Sequence, residues 1–146
     1  MKISLNGIAL VKSFENCQLT AYKDTGGVWT IGWGHTGSDV AMGLTWTQDE
    51  ADWALLQDLT APTACVNRVV KVPLTQSEFD ALVDFTYNCG CAAFEMSDAL
   101  RMLNSGDYTG ASHALENWDH VHGQVIAGLL RRRMAEASMF NGDGYA

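Results

Sequence analysis

Glu15, Asp24 and Thr30 are the residues of this chain whose types and spacing could do chemistry together: two carboxylates and a hydroxyl in one short stretch. Glu15 closes Ser13-Phe14-Glu15. The other two lie in the run Ala21-Tyr22-Lys23-Asp24-Thr25-Gly26-Gly27-Val28-Trp29-Thr30-Ile31-Gly32-Trp33-Gly34-His35-Thr36. Cleaving an acetal between sugars needs a proton for the leaving oxygen and a negative group or an activated water on the opposite face of the ring. Two carboxylates in unlike surroundings are the minimum apparatus for it. Glu15, beside Phe14 and close to Leu19 in sequence, is expected to be the more desolvated of the two, which would raise its pKa and keep it protonated as the acid. Asp24, at a glycine turn and in contact with water, is expected to stay ionised, with Thr30 across the turn helping to orient one water molecule. Carboxylates about 6.5 to 9.5 Å apart leave room for that water and give inversion, whereas a separation of about 5 Å allows direct attack and retention. Sequence spacing leaves both open.

The elements that must position these residues can be read from the pattern around them. Leu5, Ile8, Ala9, Val11 and Phe14 recur at helical spacing with Ser4 or Asn6 as cap, so residues 5 to 15 form a short helix with Glu15 at its C-terminal end. From Ala21 to His35, β-branched and aromatic residues surround Thr25-Gly26-Gly27, which predicts strand, turn and strand, and all the β-structure of the chain is expected here. Thr47-Gln48-Asp49-Glu50 and Thr75-Gln76-Ser77-Glu78 match the capping box, so each opens a helix. The first carries Trp53, Leu56 and Leu59 and continues to Val66, Val69 and Val70, with an interruption expected at Pro62. The second sends Phe79, Leu82, Val83 and Phe85 toward a core. A short helix over 97–104, a cap at Asp107 and a final helix over about 124–140 follow. The last has an apolar stripe of Val125, Ile126, Leu129, Leu130, Met134, Ala137 and Phe140, flanked by Arg131, Arg132 and Arg133.

The expected architecture is α+β and mainly helical, a single domain over residues 1–146 with a small hairpin-containing lobe joined by a long helix to a helical lobe. A polymer chain would lie in a cleft between two such lobes. The 146 residues, with 47% apolar and 18% charged, fit one compact domain rather than a disordered or fibrous chain. No run approaches the roughly 18 apolar residues of a membrane span, and Met1-Lys2-Ile3-Ser4-Leu5-Asn6-Gly7 builds no export signal, so neither stable membrane association nor self-directed export is expected.

The net charge of -8 resides entirely in residues 39–107, which hold eleven acids against Arg68, Lys71 and Arg101. Nucleic acid is therefore not expected as a partner, because a phosphate backbone calls for a continuous basic face. Cys17, Cys65, Cys89 and Cys91 allow three pairings, and without an export signal they are read as mostly reduced thiols. Cys89-x-Cys91 with His120-x-His122 offers ligand types for zinc at non-standard spacing, and neither a metal nor a cofactor is expected. His35 is read as making a structural hydrogen bond to a carboxylate or carbonyl. Of the five tryptophans, Trp118 together with His120 is the expected substrate-contacting wall.

The run from Phe14-Glu15 through Ala21-Tyr22-Lys23-Asp24 to Thr30-Ile31-Gly32-Trp33-Gly34-His35 resembles the phage-type lysozymes, the muramidase endolysins. Val72-Pro73-Leu74-Thr75-Gln76, Phe79-Asp80-Ala81-Leu82, Leu103-Asn104-Ser105-Gly106-Asp107-Tyr108 and Gly128-Leu129-Leu130-Arg131-Arg132-Arg133-Met134-Ala135-Glu136 look like later blocks of that family. The resemblance implies a lysozyme-like two-lobe fold and a monomer that hydrolyses the β-1,4 bond between N-acetylmuramic acid and N-acetylglucosamine in peptidoglycan. It makes Glu15 the general acid, Asp24 the second carboxylate and Thr30 the hydroxyl that helps bind water in inverting members. It also implies a bacteriophage enzyme of host cell lysis that waits in the host cytoplasm and reaches the periplasm and wall once a holin permeabilises the membrane. The rivals are a lytic transglycosylase, which uses one acid and makes an anhydro sugar, and a catalytically silent wall-binding module. Asp24 and Thr30 argue against the first, and the intact Glu, Asp and Thr set against the second.

Overall fold

A computed structural model describes residues 1–118, 120–121 and 124–143, with side chains described at all of these except 120, 121, 124 and 125. The chain is mainly helical and forms two compact units, one of residues 11–60 and one of residues 1–10 with 61–146.

In the first unit the end of α1 (Leu5–Phe14) leads into β1 (Gln18–Lys23), β2 (Trp29–Gly32) and β3 (His35–Thr36), an antiparallel sheet in the order β1-β2-β3. The two-strand hairpin expected from sequence is thus extended by a third short strand. The outer side of β1 is covered as well: Ala21 N donates to Leu44 O at 2.9 Å and Trp46 N to Leu19 O at 2.8 Å. A strand with both sides bonded offers no edge for another chain to pair with. Next comes α2 (Gln48–Asp58), whose cap Thr47 accepts from Glu50 N at 3.2 Å as its sequence predicts. Its buried face is Ala51, Ala54 and Leu55, α2 packs against β2, and Val11, Ile31, Val40 and Leu59 are the other buried apolar residues of this unit. Trp53 and Leu56 lie on the solvent side instead, 64% and 48% exposed.

The long helix is interrupted at Leu59, and α3 (Thr60–Val69) starts one residue later. Pro62 explains the position. It has no N–H to give the carbonyl four residues back, that of Asp58, and its ring would clash there, so α2 stops at Asp58 and Pro62 falls in the first turn of α3.

The second unit continues with α4 (Gln76–Cys89), α5 (Cys91–Glu95), α6 (Asp98–Asn104), α7 (Tyr108–Glu116), the strands β4 (His120–Val121) and β5 (Gln124–Val125), and α8 (Ala127–Phe140). The capping box of α4 is complete: Thr75 Oγ1 accepts from Glu78 N at 3.2 Å, and Glu78 Oε2 accepts from Thr75 N at 2.8 Å. Phe79, Phe85, Phe94, Leu82, Leu103 and Leu115 are wholly buried, each worth about 1.5–3 kcal/mol relative to exposure.

Four expectations need correction here. The β4–β5 hairpin is a second β element, and it takes residues 124 and 125 out of the last helix, which begins at Ala127. The stripe expected on α8 forms only part of the buried face: Ala137 and Phe140 are buried, but Ile126 and Met134 are exposed at 41% and 54%, and Arg132, Arg133, Glu136 and Met139 are buried in addition. The arginines go inside because each meets acceptors there. Arg132 holds Asp84, and Arg133 holds Asn88 and Glu136 at 2.8 and 2.7 Å and the Cys89 sulfur at 2.7 Å. Finally, Cys65 and Cys91 form a disulfide, since α3 and the start of α5 bring their Cα atoms to 6.0 Å; only Cys17 and Cys89 are free thiols.

Candidate active site

Asp24 follows β1 and opens the turn. Its backbone N donates to Val28 O at 2.9 Å, and its Oδ1 accepts from Gly26 N and Val28 N at 2.8 and 2.9 Å. The two glycines make this possible. Gly27 has φ +78°, which side chains with a Cβ rarely adopt, and a Cβ on Gly26 would sit 3.3 Å from the same carboxylate oxygen. With Oδ1 spent on two amides, Oδ2 accepts from none of the described residues, and the residue is exposed.

Thr30 pairs directly with Tyr22 rather than Asp24, so the two side chains share a face of the sheet. Asp24, two residues beyond Tyr22, belongs to that face as well. The Thr30 hydroxyl donates to Val28 O at 3.0 Å, so its lone pairs remain to accept a hydrogen, and the residue is 4% exposed.

Glu15 follows the last residue of α1, its N donating to Val11 O at 3.0 Å, and is half-buried. Leu19, expected to help desolvate it, is 37% exposed. The link between Glu15 and the hairpin is Tyr22, which sequence analysis assigned no part. The Tyr22 phenol is pushed above its ordinary pKa, first by burial and then by the negative charges of Glu15 and of Asp24. One side chain therefore lies within electrostatic reach of both carboxylates, and their charges favour the protonated phenol.

A second missed residue sets the frame. Asp52 Oδ1 on α2 accepts from Trp33 Nε1 at 2.7 Å and Gln48 Nε2 at 3.0 Å and pairs with Lys12 Nζ at 3.1 Å. It ties the last turn of α1, which leads to Glu15, to the residue that follows β2. The Trp33 hydrogen bond, opposed by burial and assisted by Gln48 and Lys12, holds the Asp52 carboxyl below its usual range. His35 has the structural part expected of it, and its partners are two carboxylates: Nδ1 lies 2.7 Å from Asp58 Oδ2 and Nε2 lies 3.0 Å from Asp39 Oδ2. Burial pulls its pKa down, but the hydrogen bonds and charges of Asp58 and Asp39 outweigh this and raise it.

Trp118 belongs to the helical unit, 39% exposed and edge-on to Phe85 with centroids 5.8 Å apart. His120 lies on β4, its side chain outside the described set, and His122 lies outside the described residues. Of the sulfurs weighed for zinc, that of Cys91 is taken by the disulfide.

The phage lysozyme family model matches residues 12–136 of the chain. The chain belongs to the phage lysozyme family. This phage lysozyme is 40% identical over 144 residues to the endolysin of Acyrthosiphon pisum secondary endosymbiont phage 1, covering 96% of this chain and 98% of that one. It spans only 54 to 61% of several longer endolysins from Bacillus and Lactococcus phages. Among solved structures, the endolysin from Escherichia coli O157:H7 phage FAHEc1 aligns with TM-score 0.93 at 38% identity, covering 100% of this chain and 97% of that one. The muramidase domain of SpmX from Asticaccaulis excentricus aligns with TM-score 0.89 at 44% identity, covering 95% and 97%.

Proposed function

We propose that this phage lysozyme hydrolyses the β-1,4 bond between N-acetylmuramic acid and N-acetylglucosamine with inversion, Glu15 acting as general acid and Asp24 with Thr30 holding the attacking water. The chain is a glycoside hydrolase, a muramidase that lyses peptidoglycan. In the proposed step, a water donates one hydrogen to Asp24 Oδ2 and the other to the Thr30 oxygen. Its lone pair attacks the anomeric carbon, the glycosidic bond breaks, and the leaving oxygen takes the Glu15 proton while Asp24 takes a proton from water. What supports this reading is the hairpin geometry: two turn amides hold Asp24 Oδ1 and leave Oδ2 without a described donor, and Thr30, paired with Tyr22, keeps its hydroxyl lone pairs available. Trp118 and His120 are proposed as substrate contacts, the enzyme as a monomer, and residues 1–146 as one catalytic domain. No described helix is long and apolar enough to cross a membrane. We further propose storage in the host cytoplasm and passage to the wall through a holin.

The test is loss of turbidity of outer-membrane-stripped Gram-negative cells with wild type, Glu15→Gln and Thr30→Val, followed by mass analysis of the released fragments. Glu15→Gln is expected to lose at least about a hundredfold in rate, and Thr30→Val less. Reducing-end muropeptides from wild type support hydrolysis. Anhydro products would mean a transglycosylase, and equal clearing by wild type and Glu15→Gln would move the acid elsewhere.

A further inference from the structure

The residue-11–60 unit contains a pocket of about 520 Å³ that the proposed chemistry does not use. That is the size of a small-ligand site. One face of α2 forms a wall, with Glu50, Ala54 and Asp58 at four-residue steps and Trp53 three residues after Glu50, and His35, Asp39 and Trp46 line it from outside the helix. Ala54, with its small side chain, lines the pocket together with both indoles. Trp53 is 64% exposed although it is among the largest apolar residues of the chain, and Trp46 lies against the His35 ring at 5.3 Å between centroids.

Charge decides what such a hollow would take. Asp39 and Asp58 share the His35 imidazole, while among the described residues neither Asp49 nor Glu50 pairs with a base. With His35 protonated, four carboxylates face one cation. An anion is repelled. A neutral sugar could stack on an indole and donate hydroxyls to the carboxylates, but it would leave their negative charge uncompensated. An ammonium on a short carbon chain uses both features, its methylenes and charge against the indole faces and its N–H groups toward the carboxylates.

We propose that this pocket binds an alkylammonium group, and that the group is the free amine of an uncrosslinked stem peptide in the wall polymer. The assignment to the stem rests on the function proposed above. The sheet register sets the reach: Thr36 pairs with Thr30 and His35 with Ile31, so the pocket lies on the opposite face of the sheet from Thr30, and a stem reaches it by passing around β3, the edge strand, which is roughly 5 Å from β2. A stem of three or four residues extends about 10–14 Å.

The test uses the full chain. Wild type, Trp53→Ala and Glu50→Gln are titrated with n-pentylammonium chloride, with n-pentanol as neutral control, while the indole N–H signals of Trp46 and Trp53 are followed by NMR. A saturable shift is expected with the amine alone, about tenfold weaker in Trp53→Ala. No saturable shift, or an equal response to pentanol, overturns the site. Both substitutions are on the exposed side of α2, and far-UV dichroism checks the fold of each variant. KM is then measured on walls before and after N-acetylation of their free amines. KM should rise several-fold on acetylated walls for wild type and not for Trp53→Ala, with kcat unchanged. Amine binding without that difference in KM overturns the stem as the source. Because the titration needs no turnover, it decides the pocket even if Glu15→Gln proves fully active and the proposed mechanism fails.

Discussion

Arg132 grips Asp84 with two nitrogens, Nε to Oδ2 at 3.0 Å and Nη2 to Oδ1 at 2.8 Å, and their side chains are 5% and 0% exposed. Bidentate geometry of this kind is what allows a guanidinium to sit inside a helical core, here linking α8 to α4.

Removing one partner leaves the other charge buried, so Asp84→Asn is expected to cost about 3–5 kcal/mol and lower Tm by roughly 10 °C. Glu136→Gln should cost less. Burial, and then the neighbouring Asp84, push the Glu136 pKa well up, so the fold favours its neutral form. A raised carboxyl pKa loses stability as pH climbs from the unfolded value of about 4.3, and Gln avoids that loss while still accepting from Arg133. Thermal melts from pH 4 to 8 check this: the Glu136→Gln minus wild type difference should move in favour of the variant with rising pH.

His35 carries the opposite linkage. Its folded pKa is raised, so its contribution is fully present below the unfolded value of about 6.5 and is lost as pH rises through the folded value. His35→Asn is expected to cost about 1–3 kcal/mol at pH 5.5, with the gap narrowing in alkaline buffer. A gap that stays constant from pH 5.5 to 9.5 would sink the imidazolium bridge between Asp58 and Asp39.

The disulfide closes a separation of 26 residues. Chain entropy assigns such a loop about 3 kcal/mol, near 10 °C in Tm for a chain of this size. Dithiothreitol should lower the wild-type Tm by about that amount and leave Cys91→Ser unmoved. An identical wild-type melt in reductant would refute the link.

With a net charge of -8, the enzyme is repelled by anionic walls over distances that salt screens beyond about 8 Å at physiological strength. Lysis of purified walls is expected to rise with moderate sodium chloride and then fall. A steady decline from the lowest salt would mean that the surface presented to the wall is locally basic.

Local chemistry was legible in the chain itself. The helix ending just before Glu15, the turn at Asp24, the caps at Thr47 and Thr75 and the break before Pro62 each depend on residues a few positions apart, where backbone geometry and short hydrogen bonds decide. The grouping of Glu15, Asp24 and Thr30 on or beside one hairpin was readable for the same reason.

Contacts between distant residues were not. Trp33 and Asp52 are 19 residues apart, His35 and Asp58 are 23 apart, Cys65 and Cys91 are 26 apart, and Arg132 and Asp84 are 48 apart. Periodicity assigns arginines to the solvent side of α8 because an isolated charge is costly to bury, and only a carboxylate delivered by another helix reverses that. Likewise, four cysteines offer six possible single pairs, and the packing of α3 and α5 selected Cys65 with Cys91, leaving Cys17 and Cys89 as thiols. The sequence by itself determined the local elements that carry Glu15, Asp24 and Thr30. Tertiary structure decided which side chains meet, because the partner that satisfies a buried charge or thiol is set by folded distance rather than by position along the chain.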